Sequence, residues 1–246
     1  IRSGELSLPR CQGFTDVVVP ATDEEIAYYE DLASKLDDLS QGLIKRKEFN
    51  QLTAVVLARL AALDIRLADS DSNPPKGTTK IEACAEKIRD MYKKYPDKSQ
   101  VVFCDTGVPK EGFNLYDSLK TLLVETGLFH ESEVRFIHEA KTPASRRKMM
   151  EDFNQARIKV LIGSTQKVGV GVNIQRNLIV AHFLDVPWTP AKLQQKIGRI
   201  IRAGNTCEEV HLFRYIKQRS FDAFSWETIE SKLNFINQYN SYQFGE

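Results

Sequence analysis

The chain has 246 residues and an almost balanced charge, with 34 lysines and arginines against 33 aspartates and glutamates. Hydrophobic residues make up 42% of the sequence and charged residues 27%, which supports a folded core of one or two domains and excludes a disordered tail. The net charge of +1 argues against a protein that coats nucleic acid by bulk charge alone.

The sequence also lacks the marks of a membrane or secreted protein. No apolar run approaches the roughly 18 residues that a membrane-spanning helix needs, and residues 1–20 contain no apolar segment of a signal peptide. The four cysteines are far apart and form no Cys-x-x-Cys pair, so we expect neither a zinc ribbon nor a disulfide framework. These features predict a cytoplasmic protein with no membrane contact and no metal site. Because Ile1 is not a natural start, we also expect the chain to be part of a longer protein.

Residues 1–72 predict a short β-branched strand followed by two helices. Thr22 and Glu25 form the capping box of the first helix, in which the hydroxyl and the carboxylate each accept a free backbone N–H. Apolar residues at helical spacing predict a second helix over residues 52–67. A linker rich in Ser, Asp and Pro follows, so we divide the chain into a helical segment, residues 1–72, and a second unit, residues 73–246.

In the second unit, short apolar strands alternate with amphipathic helices. The strands are predicted at residues 101–104, 134–138, 158–162, 178–184 and 210–216. The helices are predicted at residues 81–95, at 115–123, after Thr142-Pro143, after Thr189-Pro190 and at 221–236. This alternation predicts an α/β fold with a parallel sheet covered by helices on both faces. Ligands of such sheets bind in the loops at the carboxyl ends of strands, so the loops after Cys104, Ile162 and Leu184 are candidates for the site.

Positive charge is concentrated in one part of the second unit. Residues 153–207 contain eight basic residues and a single acid, Asp185, which gives a net charge of +7. Arg146 and Arg147 add to this charge just upstream. Such a stretch can be an ordinary solvated face, but its richness in Gly, Ser and Thr favours contact with phosphate.

Residues 163–173 form the first motif of this region, Gly-Ser-Thr-Gln-Lys-Val-Gly-Val-Gly-Val-Asn. Hydroxyl side chains at a strand end expose hydrogen-bond donors, and glycines allow a phosphate backbone to approach closely. The segment is not a dinucleotide fingerprint, because Ile174 stands where Gly-x-Gly-x-x-Gly requires its last glycine. A tight structural turn is the alternative interpretation.

The second motif lies on the helix predicted to begin at Pro190. Gln195, Arg199 and Arg202 are spaced i, i+4 and i+7, so we expect them on one helix face, where two guanidinium groups and an amide suit a transferring phosphoryl group. The residues predicted for the opposite, buried face are Leu193, Ile197 and Ile201. A solvated basic face is the alternative. However, Gly198 inside a helix costs about 1 kcal/mol relative to Ala, and we attribute it to the close approach of a ligand or another backbone.

Other nucleotide-binding elements are missing from the sequence. None of the 13 glycines is followed by lysine, so the chain has no P-loop. The pair Asp23-Glu24, which resembles an acidic metal box, already belongs to the first helix cap. The four histidines have no metal-type spacing, and His182 and His211 lie within predicted strands. The chain therefore carries the arginine half of a nucleotide site and cannot be a complete ATPase.

These motifs resemble the second RecA-like lobe of superfamily 2 helicases and, within that group, of Swi/Snf-type DNA translocases. The matching segments are residues 163–173 with motif V, 195–205 with motif VI, 101–105 with the strand of motif IV, and 185–190 with the Asp-x-x-Trp-Asn-Pro stretch. The resemblance covers nearly the whole chain and implies a RecA-like sheet, preceded by a helical segment that leaves a first motor lobe.

The resemblance implies roles for individual residues. Arg202 would be the arginine finger, Arg199 would contact the γ-phosphate of ATP, and Gln195 would order the pair. The residues implied to lie near the nucleotide are Gly169, Gly171 and Asn173, and those implied to hold DNA phosphates are Ser164, Thr165, Lys167, Arg146 and Arg147. The chain departs from the Swi/Snf pattern at Lys196-Ile197-Gly198 and at Ala203-Gly204-Asn205, which affects fine geometry but not the arginines.

A narrower resemblance is carried by three stretches, Gly-Ser-Thr-Gln-Lys, Gly-Arg-Ile-Ile-Arg-x-Gly-Asn and Phe-Asp-Ala-x-x-Trp-x-Thr-Ile-Glu. They are similar to the helicase segments of large proteins of phages and conjugative elements, in which the helicase accompanies an adenine-specific DNA methyltransferase.

The sequence is thus interpreted as the C-terminal motor lobe of an ATP-dependent DNA helicase or translocase. Its implied partners are DNA, an N-terminal RecA-like lobe that holds most of the ATP and Mg²⁺, and a methyltransferase domain. Without that lobe the chain is expected to hydrolyse no ATP. The alternatives are a non-catalytic nucleic-acid-binding or scaffold module of the same fold and, disfavoured by the missing fingerprint, a small-molecule nucleotide-binding enzyme.

Overall fold

The protein is described by a computed structural model that covers residues 8–107, 112–164 and 173–244. Its strands are β1 (Phe14–Val19), β2 (Ser99–Phe103), β3 (Val134–Phe136), β4 (Val160–Gly163), β5 (Leu178–Phe183) and β6 (His211–Lys217). They form a six-stranded sheet in the order β1-β6-β5-β2-β4-β3, in which every pair of neighbours is parallel. Every residue of β2, β4 and β5 is buried, as expected for strands covered on both faces. The predicted parallel α/β fold of the RecA-like type is confirmed.

Helices connect these strands, and most begin at a side chain that caps them. They are α1 (Asp23–Ser40), α2 (Gln51–Leu63), α3 (Lys80–Lys94), α4 (Leu115–Val124), α5 (Pro143–Asn154), α6 (Pro190–Ile200) and α7 (Phe221–Phe244). The hydroxyls of Thr142 and Thr189 accept N–H groups of the first turns of α5 and α6, and a proline follows each cap. The predicted starts of these two helices are confirmed. None of the described helices combines the length and apolar composition that a bilayer crossing requires.

Two predicted elements end early, each where a 3₁₀ turn follows that a carboxylate holds by a backbone hydrogen bond. The helix predicted over residues 52–67 ends at Leu63, since the Asp64 side chain accepts the backbone N–H of Arg66 at 3.2 Å and starts the turn Ile65–Leu67. The strand predicted over residues 134–138 ends at Phe136, whose N–H bonds to the Glu139 carboxylate across the next turn.

The first 72 residues are attached to the sheet. β1 pairs with β6 from Phe14 opposite Leu212 to Val19 opposite Lys217. Glu25, in the first turn of α1, lies 2.7 Å from the ammonium of Lys217, and both side chains are buried. A strand of the predicted helical segment therefore belongs to the same sheet as the second unit, while the division of the chain at residue 72 stays a prediction.

Candidate functional site

Three neighbouring strands end side by side at one edge of the sheet. Phe103, the last residue of β2, is opposite both Gly163 of β4 and Phe183 of β5. The loops that follow these residues therefore leave the same edge, as the sequence predicted. Ser164, the first residue after β4, is half-buried there.

A buried cluster of charges joins two of these loops to α6. The ammonium of Lys196 lies 3.1 Å from Asp105 Oδ2 and 3.4 Å from Asp185 Oδ1, and its side chain is fully buried. The other oxygen of Asp185 accepts the backbone N–H groups of Asp105 at 2.6 Å and Thr106 at 2.8 Å. Burial lowers the pKa of Lys196, but Asp185 and Asp105 raise it by more, so this pKa lies above its usual value. Sequence reasoning counted Lys196 in the basic stretch and missed that its charge is neutralised internally.

The arginine helix is shorter than the sequence predicted. Gln195 is exposed and Arg199 half-buried on α6, but the helix ends at Ile200, so the prediction that Arg202 shares their helix face is wrong. The reason is the amide of Asn205, which donates to the carbonyl oxygens of Ile200 at 3.0 Å and of Leu178 at 2.9 Å and thereby draws the chain out of the helix. Residues 201–205, which we call the arginine turn, then follow α6.

The buried face of α6 also differs from the prediction. Leu193, Lys196 and Ile200 are buried, whereas the predicted Ile197 and Ile201 are only half-buried. The stripe facing the sheet is thus displaced by one residue, because it contains the lysine that reaches the two carboxylates. Gly198 is exposed, and apart from its chain neighbours and the nearby backbone of α6 no described atom lies within 4 Å of the position that a Cβ would take, so the approach of another described backbone does not explain this glycine.

The arginine turn packs beside the segment that follows Asn173. Gln175 donates to the carbonyl oxygen of Ala203 at 3.4 Å, and the N–H of Thr206 donates to the carbonyl oxygen of Arg176 at 2.8 Å. Because Asn205 bonds to Leu178, the first residue of β5, this turn lies towards the amino ends of the strands. The predicted nucleotide residues Arg202 and Asn173 are therefore on neighbouring segments, away from Ser164.

The two arginines are close enough to influence each other. Burial lowers the pKa of the Arg199 guanidinium, and the positive charge of Arg202 lowers it further. Arg202 itself is exposed. Two neighbouring guanidinium groups are suited to binding an anion that has several oxygen atoms.

The remaining predicted residues are distributed as follows. Arg146 is half-buried and Arg147 exposed in the first half of α5, just after the sheet edge at which β3 ends. Asn173 is exposed, and its carbonyl oxygen accepts the amide of Asn154 at 2.7 Å. The predicted residues Thr165, Lys167, Gly169 and Gly171 lie outside the described residues.

The basic residues of this stretch that the structure describes do not form one surface. Arg157 pairs with Asp152 at 2.8 Å, and the ammonium of Lys159 donates to the carbonyl oxygen of Pro96 at 2.8 Å. These residues, like Arg176, lie just before the strands β4 and β5 and therefore at the amino edge of the sheet. Since Lys196 is also buried, only some of the basic residues behind the +7 charge can contact a ligand at the carboxyl edge.

One contact at the site comes from the first 72 residues. The guanidinium of Arg59, on α2, lies 4.0 Å from the centre of the Trp188 ring and donates to the carbonyl oxygen of Val186. Trp188, the aromatic residue that precedes the α6 cap, is 50% exposed. Sequence reasoning missed Arg59, because no spacing signal links α2 to a loop more than a hundred residues later.

The chain is similar to one protein family and to several known proteins. A family model described as "Helicase conserved C-terminal domain" matches residues 79–204, about half of the chain. The chain is 33% identical to "Defense against restriction protein B" of Escherichia phage P1 over a stretch of 90 residues. This stretch is 37% of this chain and 4% of that protein. It is 26% identical to "DNA repair protein RAD5" of Candida albicans, over 61% of this chain and 13% of that protein. It is 24% identical to "Nucleoside triphosphatase I" of Melanoplus sanguinipes entomopoxvirus, over 93% of this chain and 36% of that protein. The chain thus spans at most 36% of the length of these relatives.

Proposed function

Since this chain belongs to the family of helicase conserved C-terminal domains, the second RecA-like lobe of superfamily 2 helicases, we propose that it is the C-terminal motor lobe of an ATP-dependent DNA translocase or helicase. The observation that carries the proposal is the pair Arg199, half-buried near the end of α6, and Arg202, exposed in the arginine turn that directly follows. Arg202 acts as the arginine finger, Arg199 contacts the γ-phosphate, and Gln195, four residues before Arg199 on α6, orders the pair.

The nucleotide is shared with an N-terminal lobe of the same polypeptide. Guanidinium groups fit phosphate oxygens, and Asn173 contacts the nucleotide from the segment beside the arginine turn. Gly169 and Gly171, which lie outside the described residues, are proposed to contact it as well. In this proposal most of the Mg²⁺ binding belongs to the N-terminal lobe. When bound, ATP supplies the phosphoryl group that is cleaved, and this chain supplies positive charge at that group.

DNA is held on a different part of the lobe. Ser164 lies at the carboxyl edge of the sheet and Arg146 and Arg147 at the start of α5, and together with Thr165 and Lys167 they contact phosphates of one strand. Opening and closing of the two lobes moves this contact along the DNA. A relative named for DNA repair favours DNA as the partner.

The wider setting is also part of the proposal. The relative from a phage, named for defence against restriction, is in accord with a helicase on a mobile element that accompanies a DNA methyltransferase domain. The cysteines at positions 11, 84, 104 and 207 are free thiols, as suits the cytoplasm.

The proposal is tested by ATP hydrolysis of the full-length protein that contains this lobe. Because arginine fingers contribute about 10³–10⁵ in rate, Arg202→Ala is expected to lower the DNA-stimulated ATPase rate by at least about 10³. The matched control is Lys93→Ala, which removes an exposed cation near the end of α3 at the amino edge of the sheet and should leave the rate unchanged. The isolated chain is expected to release no phosphate.

Two results would contradict the proposal. Near-normal turnover of the Arg202→Ala protein would remove the finger assignment. A full-length protein that binds DNA but hydrolyses no ATP would instead be a nucleic-acid-binding scaffold of the same fold.

A further inference from the structure

Lys196 has an arrangement that the nucleotide and DNA contacts do not explain. Its side chain is fully buried, and its ammonium lies above the rings of Phe103 at 5.6 Å and Phe183 at 5.9 Å. It cannot contact ATP or DNA from this position. Its partners, Asp105 and Asp185, belong to the loops that follow β2 and β5.

A buried lysine is a poor way to stabilise a fold. Removing an ammonium and a carboxylate from water costs several kcal/mol per ion, and packed apolar residues of similar volume are often as stable or more stable. Both neighbours of Lys196 on the buried face of α6, Leu193 and Ile200, are apolar. Lys196 therefore differs from Leu193 and Ile200 in that its ion pairs are directional contacts.

The position of Lys196 on α6 connects it to the phosphate-binding side chains. It directly follows Gln195 and comes three residues before Arg199. Successive residues on a helix differ by about 100° around the axis. The direction of the Lys196 side chain therefore fixes the directions in which Gln195 and Arg199 project. Apolar contacts at Leu193 and Ile200 are not directional and constrain the rotation of α6 less than an ion pair does.

We propose that Lys196 is a positioning residue, whose ion pairs with Asp105 and Asp185 set the rotation of α6 and thereby hold Arg199 and Gln195 against the γ-phosphate. This inference rests on the proposed function. It also links the loop that begins after β2 to the arginine helix, since Asp185 accepts two N–H groups of that loop.

The experiment measures kcat and KM of DNA-stimulated ATP hydrolysis in the full-length protein. Lys196→Met keeps most of the side-chain volume and removes the charge. Small displacements of catalytic groups can lower the reaction rate by up to about 10²-fold. We therefore expect kcat to fall about 10- to 100-fold and KM for ATP to change less than about threefold. The control is Lys192→Met, a half-buried lysine one turn earlier on α6, which should retain kcat.

A double-mutant cycle separates positioning from loss of folded protein. In a background that carries Gln195→Ala and Arg199→Ala, Lys196→Met should lower kcat by less than about threefold further, because Lys196 acts through these two side chains. A loss of folded protein would lower kcat by the same factor in both backgrounds. Should Lys196→Met alone fail to fold, the double variant Lys196→Met with Asp185→Asn carries the test, since its amide oxygen can still accept the two loop N–H groups.

The possible results discriminate between the two proposals. Unchanged kcat in Lys196→Met, or an equal loss in both backgrounds, overturns the positioning role while leaving the motor assignment intact. Normal turnover of Arg199→Ala itself would contradict the proposed function instead.

Discussion

His182 shows how a titratable side chain can serve as part of the core. Its Nε2 lies 2.9 Å from Gln100 Oε1 and its Nδ1 lies 2.8 Å from the Tyr215 hydroxyl. Gln100 donates its amide to the carbonyl oxygen of Ile88, so its Oε1 must accept, and His182 carries its proton on Nε2. Burial, and then the charge of Lys87, lowers the pKa of His182 to about 3. The prediction that His182 lies within a strand is confirmed.

This histidine makes stability depend on pH. The unfolded chain binds a proton at His182 below a pKa of about 6.5, whereas the folded chain stays neutral until about pH 3, so stability is full above about 6.5 and falls as the pH drops through this window. Between about pH 7.5 and about pH 5, urea unfolding should show a loss of about 2 kcal/mol from this residue. His182→Gln should remove that loss, and the exposed His130→Gln should not. An identical pH slope in wild type and His182→Gln would contradict this assignment.

At the scale of elements, two buried carboxylates attach α1 and α7 to the last residue of β6. The carboxylate of Glu25 closes the α1 capping box by accepting the N–H of Thr22 at 2.8 Å and also reaches Lys217 of β6. Asp222, in the first turn of α7, pairs with Lys80 and accepts the backbone N–H of Lys217 at 2.9 Å. Lys217, the last residue of β6, thus contacts both α1, near the start of the described chain, and α7, at its end.

Glu25 and Glu82 form a matched pair for testing this joint. Both close a capping box, but only Glu25 also neutralises a buried lysine. Because removing one partner leaves a buried charge uncompensated, Glu25→Ala should lower the free energy of unfolding by about 3–5 kcal/mol. Glu82→Ala, on a half-exposed helix start, should cost about 1 kcal/mol. Urea denaturation measures both, and equal losses would show that Lys217 gains nothing from Glu25.

At the scale of the whole molecule, the predicted nucleotide residues and the predicted DNA residues are separated where the structure describes them. Arg202 lies in the arginine turn near the amino end of β5, whereas Arg146, Arg147 and Ser164 lie at or near the carboxyl edge. In the proposed function, nucleotide and DNA are therefore bound at different parts of the lobe.

Because Arg146 and Arg147 lie away from the arginine turn, we expect their replacement to weaken DNA binding selectively. In the full-length protein, Arg146→Ala with Arg147→Ala should weaken DNA binding and reduce the slope of log affinity against log salt by about 2, since each phosphate contact contributes about 1. The control, Lys93→Ala with Arg157→Ala, removes the same charge from the amino edge and should retain the slope. Fluorescence anisotropy with labelled DNA over a range of salt concentrations measures both. Equal slopes for the two double variants would refute the DNA surface.

Local signals in the sequence determined the elements and their order. Strands of β-branched residues, Thr-Pro helix starts at positions 142–143 and 189–190, and the Thr22 capping box are recognisable because each depends on neighbours within a few residues. The same locality made the two helicase motifs recognisable, and with them the family.

The tertiary structure alone decided how the charged residues are used. Lys196 is neutralised by acids 91 and 11 residues away, Arg202 leaves the helix because Asn205 bonds to the start of β5, and Arg59 reaches Trp188 from α2. A sequence gives the number and sign of such charges. It does not give their partners, because burial and ion pairing depend on which distant segments the sheet brings together.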